Sequence, residues 1–348
     1  MFLDNVFLKE HGMSGVEAAE LLQDYGEVVK DIREKRGYNR IFSYNYRVGV
    51  FLSNFLEKRD DSYMHLAQKD RDSRALLEVR SLDGRNITQP VLGSVPGGIL
   101  MSGSMSPAEV YRDLIFKKPE KVKVREFESP FPAENRLILL ATDVSSKYDK
   151  RNNEMIQRWS RYIEAVFDEN EGNVAVFNTS YRLMHRILGN INSDREIIVE
   201  RYNTKRETVL RRLRASDNCA LFGVMGGKLS EGVDYPGNLL TGVVAVGLPY
   251  ATWDVYQRAL INYYDNQYPG KGWLYAYVTP AILRILQTCG RVHRSAKDKG
   301  CLVILDQRVA QNHVSKLLPE YFQEEIKYIN DPLEAGHFIK KFWNRQIS

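Results

Sequence analysis

Alternating apolar strands and helical segments fill the chain after about residue 120, and they constrain its fold more than any other feature. Continuously apolar runs of this length are typical of strands buried on both faces of a sheet. The predicted strands are 137–140, 174–177, 197–199, 219–222, 243–246 and 302–305, and the predicted helices are about 152–167, 181–189, 204–215, 253–265 and 279–289. This alternation predicts an α/β fold with a parallel sheet flanked by helices. In such sheets the functional loops lie at the carboxyl ends of the strands.

The first part of the chain follows a different pattern. Apolar residues there recur at three- and four-residue steps, which indicates amphipathic helices, before shorter apolar runs that indicate strands. The helices are predicted at 16–34 and about 44–57, and the strands at 63–67, 75–79 and 98–101, the last of them buried. We therefore expect a small, mainly helical N-terminal segment before the main sheet.

Composition excludes several classes of protein. Hydrophobic residues make up 43% and charged residues 27% of the 348 residues, which is ordinary for a globular protein and unlike a disordered one. No apolar run reaches the ~18 residues of a membrane span, and the N-terminus lacks the pattern of a signal peptide. Three separated cysteines form no disulfide framework, so we expect a cytoplasmic protein, associated with the nucleoid in a prokaryote. The net charge of +5 permits a nucleic-acid partner without requiring one.

A glycine-rich loop at 226–234 is the first candidate for chemistry. Its glycines allow a sharp turn or a close approach to a ligand, and Lys228 and Ser230 can contact phosphate. Glu231 and Asp234 are better suited to positioning arginines or a metal-bound water. The loop does not match the phosphate-binding pattern G-x-x-x-x-G-K-[ST], and a solvent-exposed turn remains an alternative.

A second candidate, at 287–295, carries two arginines at the end of an apolar helical run. Arg291 and Arg294 are three residues apart and so share a helix face, while Gly290 allows a close approach. Two such arginines can clamp the charge that develops on a phosphoryl group during its transfer. A solvated basic helix end that interacts with the helix dipole is the alternative.

The third candidate is the hydroxyl-rich loop at 102–107. Its serines can hydrogen-bond phosphate or couple one domain to another. A helix N-terminus explains the same residues, with Ser106 as the cap and Pro107 at the first helical position.

In this order, the loops resemble the motifs of the XPD/DinG-like (Rad-three-related) superfamily-two DNA helicases. Residues 102–107 are similar to motif III (S-G-T-L-S-P), 173–181 to motif IV, 227–234 to motif V (G-K-x-S-E-G-[IV]-D) and 287–294 to motif VI (Q-x-x-G-R-x-I-R). Segments 246–250, 272–275 and 305–308 also resemble the family. The departures are Ser104 and Met105 in motif III, Asn178 and Thr179 in motif IV, Gly226 where many relatives have arginine, and His293 where isoleucine is common.

The resemblance implies three regions. They are a remnant of an arch-type insertion at 1–60, the end of a first RecA-like domain with motif III at 61–115, and a second RecA-like domain at 116–348. The chain contains no G-K-[ST] loop, no D-E-A-H box and no clustered cysteines. We therefore expect ATP and Mg²⁺ to be bound mainly by an N-terminal helicase half, in cis or on a separate chain. An iron–sulfur cluster is possible in the parent protein, not in this chain, and no metal ligands are assigned here.

The resemblance also implies roles for individual residues. Arg294 would be the arginine finger, supported by Arg291 and Gln287, with Gly290, Asp234, Gly232 and Glu231 on the nucleotide side. Ser180, Tyr181, Lys228 and Ser230 would contact single-stranded DNA, and Ser102, Gly103 and Ser104 would couple the two functions. The implied function is the C-terminal half of an ATP-dependent 5′→3′ DNA helicase that is inactive alone. The alternative is a non-catalytic nucleic-acid-binding or partner-docking module with the same fold.

Aromatic and basic side chains offer further contacts to a single strand, although core or surface packing is the favoured explanation for them. The candidates for stacking on bases are Tyr235, Trp253, Tyr256, Tyr263 and Tyr264. The basic stripe of helix 204–215 also suits a solvent-exposed face.

Overall fold

A seven-stranded parallel sheet forms the centre of the computed structural model, which describes residues 12–69 and 72–344. The strands are β1 (Tyr63–Lys69), β2 (Ala75–Ser81), β3 (Arg136–Ala141), β4 (Val174–Asn178), β5 (Glu196–Val199), β6 (Cys219–Val224), β7 (Gly242–Val246), β8 (Gly300–Leu305) and β9 (Ile326–Ile329). The sheet order is β5-β6-β4-β7-β8-β3-β9, and every neighbouring pair is parallel. The predicted α/β fold is therefore confirmed.

Helices cover both faces of this sheet. The helices of the described chain, including those outside the sheet, are α1 (Gly15–Lys35), α2 (Tyr44–Glu57), α3 (Arg85–Gly93), α4 (Ala108–Ile115), α5 (Asn153–Glu169), α6 (Tyr181–Leu188), α7 (Arg206–Ala215), α8 (Val255–Gln267), α9 (Thr279–Cys289), α10 (Asn312–Ser315), α11 (Glu320–Glu325) and α12 (Pro332–Trp343). Strand β3 shows why both faces are apolar. Its Leu137 and Leu139 belong to a core shared with α5, α6 and α12, whereas Ile138 and Leu140 belong to a core shared with α7, α8 and α9, because successive side chains point to opposite faces.

The N-terminal segment is helical, as predicted. Helices α1 and α2 pack closely because glycines lie where they cross: a Cβ on Gly49 would be 2.6 Å from the Ala19 carbonyl, and one on Gly26 would clash with Tyr46. Strands β1 and β2 follow as a separate antiparallel pair.

The prediction of a buried strand at 98–101 is wrong. These residues form exposed coil, with Ile99 at 86% and Met101 at 87% exposure. A buried parallel strand needs hydrogen-bonded neighbours on both sides, and among the described residues no strand lies beside this segment. The Ser106 cap is also wrong, because α4 begins at Ala108, whose N–H donates to Glu126 Oε1 at 2.7 Å.

Buried polar contacts attach the segment before α3 and helix α4 to the main domain. Asp83 and Arg85 form an ion pair of 2.8 Å whose side chains are almost fully buried. Tyr263 on α8 donates to Asp83 Oδ2 at 2.7 Å, and Tyr275 donates to Asp113 Oδ2 at 2.7 Å. These contacts anchor the chain on both sides of the exposed stretch around residue 100.

Candidate functional site

The loops at 226–234 and 287–295 lie side by side. Arg291 Nη1 donates to the Val233 carbonyl at 2.7 Å, and Arg294 Nε lies 3.4 Å from Asp234 Oδ1. The strand order explains why the two loops are close. The loop at 226–234 leads from β6 to β7, and the loop at 287–295 leads from α9 to β8. Strands β7 and β8 are neighbours in the sheet, so the two loops approach each other. The arginines therefore precede a strand, contrary to the general expectation that functional loops follow one.

Asp298 fixes the backbone that presents Arg294. Its buried carboxylate accepts from the amides of Arg294 and Ser295, both at 2.7 Å, and from Ser295 Oγ at 2.9 Å. Burial alone would raise the pKa of Asp298, but these hydrogen bonds outweigh it and hold the pKa below its usual value. A carboxylate that stays charged can keep this loop in one conformation near neutral pH.

The hydrogen-bonding capacity of the Arg291 guanidinium is not filled within the described residues. Arg291 is half-buried, and its Nε is buried without a hydrogen-bond partner among the described residues. Its pKa is lowered by burial and then by the neighbouring charge of Arg294. Arg294 remains 39% exposed and Asp234 76% exposed. A bound anion such as phosphate would satisfy both arginines, so these residues fit the γ-phosphate end of a nucleotide.

The remaining residues assigned to the nucleotide side lie around this pair. Gln287 is half-buried on α9, four residues before Arg291, and Gly290 ends that helix with its N–H 2.8 Å from the Leu286 carbonyl. Glu231 is exposed, and its charge opposes the lowering of the Arg291 pKa. Gly232 adopts φ of +68°, a conformation that favours glycine.

His293 is a packing residue in this structure. It is buried, its Nε2 lies 3.2 Å from the Asn135 carbonyl, and burial lowers its pKa. Its place beside Arg294 therefore brings no additional charge to the arginine pair.

A second group of predicted site residues gathers beyond the carboxyl ends of β4, β5 and β6. Lys228 Nζ donates to the Tyr202 carbonyl at 2.8 Å and lies 5.1 Å from the centre of the Tyr202 ring. Tyr202 is 92% exposed and Tyr181 is 44% exposed. A cation beside the exposed Tyr202 ring, with a second exposed ring at the start of α6, is a suitable surface for a single strand.

Two serines assigned to DNA contact have other partners. Ser230 is completely buried and donates to the Gly227 carbonyl at 3.1 Å, so it shapes the loop and cannot reach a ligand outside it. Ser180 Oγ caps α6 by accepting from the Leu183 amide at 3.2 Å. Among the stacking candidates, Tyr235, Tyr263 and Tyr264 are buried, and only Trp253 is largely exposed. Packing therefore explains those three tyrosines.

Glu200 was not expected at this site. It follows β5, is 1% exposed, and accepts from the Val224 amide at 3.0 Å through Oε2. Its Oε1 has no hydrogen-bond partner within the described chain. A Cβ on Gly227 would lie 2.9 Å from both carboxylate oxygens, which explains glycine at the base of the loop. Its position directly after a predicted strand, at 197–199, was the available signal.

The coupling candidates Ser102, Gly103 and Ser104 form an isolated turn. Ser102 Oγ lies 3.2 Å from Ser104 Oγ and accepts from the Ser104 amide at 3.3 Å. No hydrogen bond joins them to either group above within residues 12–69 and 72–344.

The buried carboxylate of Asp306 joins the loops that follow β3, β7 and β8, at the carboxyl edge of the sheet. Asp306, which follows β8, accepts from Ser146 N and Oγ at 2.9 and 2.7 Å and from Leu248 N at 3.1 Å. Arg308 donates to it from N, Nε and Nη2 at 3.1, 3.0 and 2.7 Å. Burial favours the protonated form, but Arg308 and Ser146 outweigh it and lower the pKa of Asp306.

The chain is similar to several known proteins. Residues 163–325 match the helicase C-terminal domain family. An "ATP-dependent DNA helicase XPD" of Sulfolobus acidocaldarius is 27% identical over 60% of this chain and 39% of its own length. An "ATP-dependent DNA helicase CHL1" of Meyerozyma guilliermondii is 24% identical over 81% of this chain and 38% of its own.

The fold is also similar to that of a solved structure. A solved XPD helicase superposes with a TM-score of 0.60 and 23% identity, covering 90% of this chain and 55% of that one. Residues 163–325 are therefore a helicase C-terminal domain that is similar to the C-terminal portion of XPD/DinG-like helicases. It spans about two fifths of the length of the curated relatives it matches.

The cysteines do not fit an iron–sulfur cluster. Cys219, Cys289 and Cys301 are all buried. Among the described residues, no group of three or more His, Cys, Asp or Glu side chains is placed to hold a metal ion. Within the described ranges, no helix is long and apolar enough to cross a membrane.

Proposed function

We propose that this chain is the C-terminal half of an ATP-dependent, 5′→3′ single-stranded-DNA translocase or helicase. The observation that carries the proposal is the contact between the two loops, in which Arg291 and Arg294 meet Val233 and Asp234. The similarity to proteins named as ATP-dependent DNA helicases supports the same reading.

Arg294 is the proposed arginine finger. When the two RecA-like halves close on a nucleotide, its guanidinium donates to the γ-phosphate and exchanges its weak contact with Asp234 for a stronger one. Arg291 and Gln287 support it from α9, and Asp298 holds its backbone in place. Because the charge is delivered only on closure, hydrolysis is tied to domain movement. An arginine finger of this kind raises the rate of nucleotide hydrolysis about 10³–10⁵-fold.

The exposed stretch at 98–101 supports the proposal that the first RecA-like half supplies a neighbouring strand. Its apolar residues suit a buried strand, yet they lie in solvent here. In the proposed enzyme this stretch pairs with strands of the first RecA-like half, which also brings the phosphate-binding loop and the magnesium ligands. Residues 102–104 then lie at the junction of the two halves, where they can couple nucleotide closure to DNA.

On the DNA side, Lys228, Tyr181 and Tyr202 line the proposed path. Lys228 contacts a backbone phosphate, and the two exposed rings offer stacking surfaces.

The test is ATP turnover by this chain alone and by the complete enzyme, each with and without single-stranded DNA. We expect none from the chain alone and DNA-stimulated turnover from the complete enzyme. Arg294→Ala in the complete enzyme should lower turnover about 10³-fold or more while nucleotide binding persists. Arg161→Ala, which removes an exposed arginine on α5, is the control.

Two outcomes would contradict the proposal. Turnover by the chain alone would mean that it holds its own phosphate site. Absence of turnover from the complete enzyme, with DNA binding retained, would favour the non-catalytic module instead.

A further inference from the structure

The carboxylate of Glu200 lies buried beyond the carboxyl end of β5, and one of its two oxygens is unused. Oε2 accepts from the Val224 amide at 3.0 Å, whereas Oε1 is buried and has no hydrogen-bond partner in the part of the chain that the structure describes. The residue as a whole is 1% exposed. A buried carboxylate oxygen without a partner is unfavourable, so a donor that reaches Oε1 gains free energy.

Two glycines clear the space around this carboxylate. A Cβ on Gly223, in β6, would lie 2.9 Å from Oε2 of Glu200 and 3.0 Å from the Phe177 ring, and one on Gly227 would lie 2.9 Å from both carboxylate oxygens. Strand β6 separates β5 from β4 in the sheet. The absence of a side chain at Gly223 therefore lets Glu200 extend over β6 toward the end of β4, and a larger residue at either glycine would displace the carboxylate.

Tyr181 follows the end of β4 and approaches the same carboxylate. It is the first residue of α6 and is 44% exposed. Burial of the phenol, and then the negative charge of Glu200, raise the pKa of Tyr181. The hydroxyl is therefore close to the carboxylate, although Oε1 accepts no hydrogen bond from it here. A movement of the exposed ring toward β5 can complete that bond.

The same carboxylate fixes the base of the loop that carries Lys228. Its bond to the Val224 amide lies at the end of β6, directly before a turn in which the Gly227 amide donates to the Val224 carbonyl at 2.8 Å. Lys228 is the next residue after that turn. Glu200 therefore lies between Tyr181 and Lys228, two of the side chains that line the proposed DNA path.

We propose that Glu200 is a positioning residue for the binding of single-stranded nucleic acid. When a base stacks on the exposed Tyr181 ring, the ring moves toward β5 and its hydroxyl donates to Glu200 Oε1. Because this bond is absent from the free chain, it adds to the affinity of the bound state. The inference rests on the proposed function, and it assigns the alignment of Tyr181 with Lys228 to a residue outside the recognised motifs.

A double-mutant cycle on the full chain tests this bond, with Kd for a labelled oligothymidylate of about 16 nucleotides measured by fluorescence anisotropy. Tyr181→Phe keeps the ring and removes the hydroxyl. Glu200→Gln keeps an acceptor for the Val224 amide and replaces the charged oxygen at Oε1 with an NH₂ group. Each change should raise Kd about tenfold, as expected for the loss of a hydrogen bond to a charged group. The double variant should also lose about tenfold rather than about 100-fold, because both changes remove the same bond.

Three comparisons separate this role from a general structural one. Glu196→Gln is the matched control, because it removes an exposed carboxylate paired with Arg212 at the start of the same strand, and it should leave Kd unchanged. Glu200→Gln combined with Lys228→Ala should be additive, since glutamine keeps the bond that holds the base of the loop. With an abasic oligonucleotide, Tyr181→Phe should no longer alter Kd, because no base stacks on the ring.

An unchanged Kd for Tyr181→Phe overturns the proposal, whether or not the Glu200→Gln protein folds. Additive losses in the double variant also overturn it, because they place the Tyr181 hydroxyl on the nucleic acid rather than on Glu200. If the wild-type chain binds no oligonucleotide at all, the nucleic-acid part of the proposed function is refuted, and this inference with it.

Discussion

Replacing Asp306 with asparagine should destabilise the domain more than any surface change near the site. The side chain is fully buried and accepts six hydrogen bonds, three of them from Arg308. Asparagine has nearly the same shape but carries an NH₂ group in place of one acceptor. At least one donor would then face another donor, and the Arg308 guanidinium would lose its counter-charge.

The magnitude follows from these contacts. Removing one partner of a buried ion pair costs about 3–5 kcal/mol, and hydrogen bonds to a charged group contribute ~1.5–3 kcal/mol each. Asparagine retains some of the six, so we expect the free energy of unfolding to fall by about 3–4 kcal/mol. That is a large fraction of the ~5–15 kcal/mol of a typical domain.

Urea unfolding followed by circular dichroism measures the loss as a lower midpoint at unchanged slope. The control is Asp149→Asn, which breaks an exposed pair with Lys147 and should leave the midpoint unchanged. Because the pKa of Asp306 is lowered in the folded state, its contribution is complete above pH ~4 and is lost as the pH falls further. A difference below about 1 kcal/mol at neutral pH, or one that does not shrink in acid, would refute the reasoning.

Three further changes test other contacts. Lys228→Ala should weaken single-strand binding and lower the slope of log K against log salt by about 0.7. Lys341→Ala, on α12, is the control and should leave that slope unchanged. Equal slopes for the two variants would place Lys228 outside the DNA path. Asp298→Asn should lower ATP turnover of the complete enzyme about 10–100-fold because Arg294 loses its fixed backbone; full activity would exclude that role. Asp83→Asn should speed hydrogen exchange in α3 and α4 without affecting the main sheet, and uniform exchange would contradict the anchor.

The sequence predicted the parallel sheet well because each of its six predicted strands is a continuous apolar run. Strand β9 escaped notice because it is a short edge strand whose Lys327 and Tyr328 are exposed. The stretch at 98–101 has the pattern of a buried strand but no sheet neighbours among the described residues, so its burial was predicted wrongly. Local pattern identifies what a segment is suited to, and its neighbours decide what it becomes.

The candidate site was predictable to the extent that it lies in motifs. The pairing of Arg294 with Asp234 follows from two recognisable loops, but the burial of Ser230 depends on how the loop folds over Gly227. The rings that pack together around Tyr277 come from two segments, one on each side of α8, and periodicity within either segment does not reveal their contact.

The anchors at Arg85 and Asp113 give the exposed stretch between them an unusual freedom. Both ends are held by buried contacts to one domain, so a single cut in the chain near residue 100 would release neither flank. Lengthening such a closed loop also costs little free energy, because each doubling of the loop length adds only ~0.6 kcal/mol to the entropic cost of closing it. In this chain by itself, the stretch can therefore accept insertions or a fused reporter, whereas the anchoring tyrosines cannot be exchanged freely. A fluorophore placed there would report the docking of a second domain without disturbing the first.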